Sequence, residues 1–133
     1  MERRDYLMNQ IEQLQLFIKM LLSKLLNDFD WEELESEIEQ AKEADALPEL
    51  MLLQTNPKRP EQLSDLFKGL DDTTQVQVLD VLMALARKCI EEKQSEKGAI
   101  YIDRIAHLNK FSRSINFTFI NDFNHLQLQY QSL

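Results

Sequence analysis

Very few residues in this chain are of the types that do chemistry. One cysteine, Cys89, and two histidines, His107 and His125, are the candidate nucleophile and bases. Nucleophilic catalysis needs a base beside the nucleophile and a third group to orient that base. Neither histidine has a neighbouring Cys or Ser at such a spacing. Cys89 falls one residue from the apolar stripe Met83, Ala86, Ile90, where a free thiol packs as a small hydrophobe. A buried structural thiol is therefore expected.

Metal ligation has little more support. Asp28, Asp30 and Glu32 alternate like the first ligands of a calcium loop, but the glycine that its sharp turn requires is absent. A carboxylate-bridged pair of metals needs two Glu-x-x-His units on facing helices. Asp122-x-x-His125 is at best one such unit, without a second copy. No G-x-G-x-x-G, Walker loop or H-E-x-x-H occurs, and two glycines cannot build a Gly-rich phosphate cradle. No catalytic, cofactor-binding or metal-ligating residue is assigned, and a protein that is not an enzyme and carries no cofactor is expected.

What remains is charge. Between Asp28 and Glu49 stand ten acidic residues and one base, Lys42, whereas the whole chain has a net charge of −8. Within that block Glu35, Glu39 and Glu43 recur at steps of four. They form one strip on a helix, where like charges repel slightly. The segment from Arg87 to Arg113 leans the other way, with seven bases against four acids, and is a candidate counter-face. A solvated helix face is the ordinary meaning of such a strip, and an electrostatic docking surface is its functional meaning. The acidic balance argues against nucleic acid and against anionic membrane surfaces as partners.

The elements that position these residues are helices. Two Gly and three Pro in 133 residues are too few for the turns of a sheet protein, and Leu, Gln, Glu, Lys and Met are good helix formers. Leu7, Ile11, Leu14, Ile18, Leu21 and Leu25 step four, three, four, three, four, the seam of an amphipathic helix. Gln13, Gln15, Lys19 and Lys24 interrupt it, so it is neither a secretory signal nor a membrane span. Leu16 and Met20 lie opposite the seam, one turn apart. A helix apolar on two sides is sandwiched or self-associating.

Asp30 and Glu33 form a capping box for a second helix with Trp31, Leu34, Ile38 and Ala41 inward. Pro48 ends that run or opens another. Thr55–Pro60 is a loop. Beyond it a short helix stops at Gly69, expected to be left-handed. Asp71 or Asp72 caps a long helix with Val76, Leu79, Met83, Ala86 and Ile90 inward. Ser95 caps the next, with Ala99, Ile102 and Ile105 (or Ala106) inward and Leu108 or Asn109 at its end. At the end, Ile115, Phe117 and Phe119 alternate like a strand, whereas Phe119, Phe123, Leu126 and Tyr130 step like a helix. A lone strand has no partner for its ladder, so helix is expected.

The predicted fold is all-α: a single-domain antiparallel helical bundle, or stacked helix hairpins, of six to seven helices. It divides into an N-terminal hairpin (5–47), the loop 55–60 and C-terminal helices (61–130). Asp5-Tyr6-Leu7-Met8, Ile11-Glu12-Gln13-Leu14 and the run Phe17 to Leu22 resemble the first helix of a family of small, uncharacterised bacterial helical proteins. That resemblance implies a bacterial, cytoplasmic, helical protein. The stretch 83–108 resembles one tetratricopeptide-type helix pair, with Ala99 and Ala106 as the small residues of its second helix. Arg87 and Asp103 depart from that pattern, and no 34-residue repeat accompanies it.

The expected function is protein–protein interaction or scaffolding. Its candidate surface is Leu16, Met20, Glu35, Glu39 and Glu43, and a homo-oligomer through the first helix is a candidate assembly. The competing expectation is a ligand receptor or enzyme with an inter-helix pocket lined by Trp31, Tyr101, Tyr130 and the histidines. The lone cysteine fits a reducing cytoplasm.

Overall fold

The computed structural model describes residues 2–27, 30–44, 47–114 and 116–133, without the side chains of 2–11, 26, 42 and 44. The described residues form six α-helices: α1 (Glu2–Leu26), α2 (Trp31–Ala44), α3 (Leu63–Lys68), α4 (Asp72–Glu91), α5 (Ser95–Leu108) and α6 (Phe117–Gln131). Three 3-10 helices, Pro48–Leu53, Pro60–Gln62 and Asn109–Phe111, join them, and no strand occurs among the described residues. The bundle is all-α, as the composition predicts, and none of its described helices is long and apolar enough to cross a membrane.

The α1 seam is core. Leu14, Ile18, Leu21 and Leu25 are buried, whereas the Leu7 and Ile11 side chains fall outside the described residues. They rest chiefly on α4, and α2 rests on the 3-10 helix Pro48–Leu53. Lys24 ties α1 to α2 through Glu37 and, at 3.5 Å, Glu33. Glu33 therefore reaches α1, while Asp30 Oδ1 accepts from the Glu32 amide at 3.0 Å. Pro48 opens a helix, and Leu50, Met51, Leu52 and Leu53 behind it are all buried.

Helix α4 is the centre of the bundle. One inward stripe was expected, but Val81, Leu82 and Leu85 are buried as well, because α1, α5 and α6 all pack on it. A helix apolar on most sides must be enclosed. Asp71 caps it, its Oδ1 accepting from the Thr74 amide at 3.3 Å.

Two stop signals differ from expectation. Gly69 is right-handed, with φ −74°. The left-handed stop is Lys93, φ 58°, after α4. There the Gln94 amide donates to the Cys89 carbonyl at 2.7 Å and the Lys93 amide to the Ile90 carbonyl at 3.2 Å, a complete Schellman closure. Ser95 is the first residue of α5, not its cap, which is Gln94. In α5, Ala99 and Ala106 are exposed, whereas Gly98 is buried. Helix α6 buries Phe119, Phe123 and Leu126 as its periodicity predicts, and it begins at Phe117 under an Asn116 side-chain cap. Ile115, the other residue of the strand-like alternation, lies outside the described residues.

Candidate functional site

Helix α2 meets the turn after Leu53 and the start of α5 at a cleft of about 190 Å³. Its floor is apolar: Leu34 and Ile38 from α2, Leu53 from the 3-10 helix and Tyr101 from α5. Its rim is polar: Glu35, Glu39, Gln54, Thr55 and Asn56. The 3.6-residue repeat of α2 brings Glu35 and Glu39 to the rim next to the buried Leu34 and Ile38.

Each rim carboxylate has a partner from elsewhere in the fold. Glu35 Oε1 lies 2.9 Å from Lys97 Nζ. That ammonium also stands 4.9 Å from the centre of the Trp31 ring. Trp31 in turn stacks on Tyr101, centroids 6.4 Å apart. Glu39 Oε2 accepts from Gln54 Nε2 at 2.5 Å. The other amide atom, Gln54 Oε1, is buried without a hydrogen-bond partner among the described residues. The basic segment thus faces α2 within one chain, through Lys97.

The back wall is held by α5. Arg104 is buried and donates from Nη1 to the carbonyls of Leu52, at 2.9 Å, and Gln54. The Tyr101 hydroxyl lies 3.4 Å from the Leu53 carbonyl. These donors close the C-terminal carbonyls of a 3-10 helix, where positive charge is favoured. Burial pushes the Tyr101 hydroxyl up and the Arg104 guanidinium down from their ordinary pKa values. In sequence, Arg104 was one base among seven. A basic residue at a buried helical position, between Tyr101 and Ile105, was the signal available.

Of the predicted surface residues, Glu35 and Glu39 share this cleft, and Glu43 is exposed farther along α2. Leu16 and Met20 are exposed one turn apart on α1, the former 65% accessible. The expected pocket lining does not converge. Tyr101 lines the cleft, and Trp31 backs it. Tyr130 instead donates to the Ala86 carbonyl. His107 meets Phe111 edge-on at 5.6 Å, and His125 is exposed on α6. Asp122 faces Arg87 at 3.7 Å. No group of three or more candidate metal ligands occurs among the described residues. Cys89 is buried, and burial pushes its thiol up to about 12, far from the thiolate that reacts.

A second surface is absent from the sequence-based expectations. Phe117 and Leu128 are 80% and 60% accessible, and Ile120 is also exposed. Phe117 and Leu128 lie about three turns apart on one line of α6, with Ile120, Asn121 and Asn124 beside that line. This strip carries no charged side chain. Its signal was present in the spacing, opposite the Phe119, Phe123, Leu126 face. No protein-family model, no curated protein and no solved structure matches this chain.

Proposed function

We propose that the protein is a non-enzymatic interaction module that associates with protein through the outer face of α6, in the first instance with a second copy of itself. The observation that carries this is the line of exposed Phe117 and Leu128 flanked by Ile120 and uncharged amides. Exposed large side chains that share one helix face mark association surfaces, and aromatic anchors supply most of the energy in such contacts. A two-fold interface places one patch against its own copy. An uncharged strip allows that approach between chains of net charge −8, with the acidic α2 packed chiefly on the 3-10 helix.

Burying one Phe or Leu side chain contributes roughly 1.5–3 kcal/mol. Doubling the three apolar residues by symmetry gives a gross gain of the same order as the cost of association, so a weak, concentration-dependent dimer is expected. Leu16 and Met20 form a smaller second patch, rimmed by exposed Glu12 and Lys19, and rank below α6 for that reason. Cys89, buried and protonated, and the separated histidines fit a binding role better than catalysis. A cytoplasmic setting suits the single free thiol. The test is solution mass by light scattering for the parent, for Phe117→Ser/Leu128→Ser and for Leu16→Ser/Met20→Ser. Dimer loss confined to the α6 pair supports this role; a monomeric parent refutes self-association.

A further inference from the structure

We propose that two copies pair through α6 in antiparallel, each setting its Phe117 ring into the groove between α5 and α6 beside Leu128 of the other. The inference rests on the self-association proposed above and adds its direction, its register and the seat of its anchor.

The order of residues along the strip carries the direction. Phe117, Asn121, Asn124 and Leu128 step four, three, four along α6, and all four are exposed. Such steps keep them within about 60° of one another on the helix surface. Read from either end, the strip is apolar, amide, amide, apolar at the same spacings. A two-fold axis that sets a helix against an antiparallel copy places each residue opposite the one at the mirrored position, and this palindrome matches it. With the axis between Asn121 and Asn124, Phe117 meets Leu128 of the other copy twice, and each Asn121 meets an Asn124. An amide side chain carries donors and an acceptor, so the central pairs satisfy each other. A slip of one turn sets an amide against Phe117 or Leu128 and leaves it unpaired, which is costly. The same pairs therefore fix the register.

The groove then chooses between antiparallel and parallel. It holds about 440 Å³ and lies between α5 and the C-terminal half of α6. Ala99 and Ile102 line it from α5, Gln127, Tyr130 and Gln131 from α6, and Leu133 from beyond α6. Its volume is within the range that encloses a ligand larger than one ring. Phe117 stands about 16 Å from Leu128 along the helix, so it does not enter the groove of its own chain. A parallel pair would set Phe117 on Phe117 and leave both grooves empty. The antiparallel pair brings the ring level with Leu128, at the edge of the groove. Aromatic side chains on a helix lean towards the N-terminus of their own helix. In the antiparallel copy that lean points towards Gln131 and Leu133, over the groove. An aromatic side chain in a pocket, ringed by weaker contacts, is the usual anchor of an interface.

The test uses the full chain with Cys89→Ala, so that engineered thiols are the only ones. Phe117→Cys and Leu128→Cys are placed on separate chains. Each is treated with a short bis-maleimide, alone and mixed, at concentrations where the parent is dimeric. The mixture should give cross-linked dimer, because the antiparallel pair sets the two thiols side by side and keeps one native Phe117–Leu128 contact. Either chain alone should give little, because its two thiols are about 16 Å apart along the pair. Ala99→Arg fills the groove from α5 without altering the α6 strip, and should weaken the dimer about tenfold by light scattering. Cooperative urea unfolding establishes that each variant is folded. If Ala99→Arg fails that check, the cross-link pattern decides alone. The inference is overturned by either chain cross-linking alone as readily as the mixture, by no cross-link in the mixture, or by a folded Ala99→Arg that dimerises like the parent. Those results leave self-association through α6 standing, whereas a monomeric parent removes both.

Discussion

Tyr130 lies across Gly98: a Cβ added at Gly98 would overlap the Tyr130 hydroxyl and ring. The hydroxyl donates to the Ala86 carbonyl, so one side chain of α6 reaches α4 over the gap that a glycine leaves in α5. This contact seats the C-terminal half of α6, and with it the direction in which Phe117 and Leu128 face.

Gly98→Ala should therefore destabilise the protein although alanine is the better helix former. The helical gain is about 1 kcal/mol, and overpacking costs about 1–3 kcal/mol. A net loss of up to about 2 kcal/mol is expected by urea denaturation. In Tyr130→Ala the clash partner is gone, so Gly98→Ala in that background should become neutral or stabilising. Additive costs in the double variant would contradict the close approach.

Lys93 occupies the left-handed position that closes α4. A residue with a Cβ pays about 1 kcal/mol or more there, and glycine does not. Lys93→Gly should raise stability by about 1 kcal/mol, measured by the same denaturation. Lys93→Val should lower it. No gain in the glycine variant would count against the Schellman closure.

Arg104→Met keeps much of the buried stem and removes the donor to the Leu52 and Gln54 carbonyls. Leaving a buried acceptor unpaired costs about 1–3 kcal/mol, so a loss on the order of 2–4 kcal/mol is expected. The turn after Leu53 should loosen first, seen as faster amide exchange at Leu53 and Gln54 than at the centre of α4. Unchanged exchange there would show that the guanidinium does not hold the turn.

Stability should fall at alkaline pH. Burial pushes Cys89 up to about 12 from 9.0, and Tyr130 to about 12 from 10.0. Groups with raised folded values stabilise the fold fully below their unfolded values. That stability is lost as pH rises towards the folded ones, because the unfolded chain releases protons first. The melting temperature should hold near neutrality and decline from about pH 9 upward. Cys89→Ala should make the decline shallower and shift its onset towards the tyrosine range. A melting temperature unchanged to about pH 11 would exclude this linkage.

The helices were legible because their signals are local. The α1 seam, the Asp71 cap and the Phe119–Tyr130 stripe all repeat within a few residues, and each is where the spacing puts it. The stop at Lys93 was missed because glycine is the usual left-handed residue and a lysine stands at that place. At Lys93 a hydrogen-bonded closure imposes the conformation on a residue that does not prefer it. The burial of Arg104 was missed because its partners are backbone carbonyls some fifty positions away. The cleft follows the same logic. Glu35 and Glu39 were singled out as one strip, but Gln54, Lys97 and Tyr101 reach it only through tertiary packing. The α6 strip was legible in principle, since it lies opposite the buried stripe of the same helix.

Light scattering across a concentration series tests the central claim, association through the outer face of α6, most directly. The parent should pass from monomer to dimer as its concentration is raised. Phe117→Ser/Leu128→Ser should stay monomeric and cooperatively folded, because both side chains are exposed. A parent that remains monomeric throughout, or a dimer that survives the double substitution, would contradict the account.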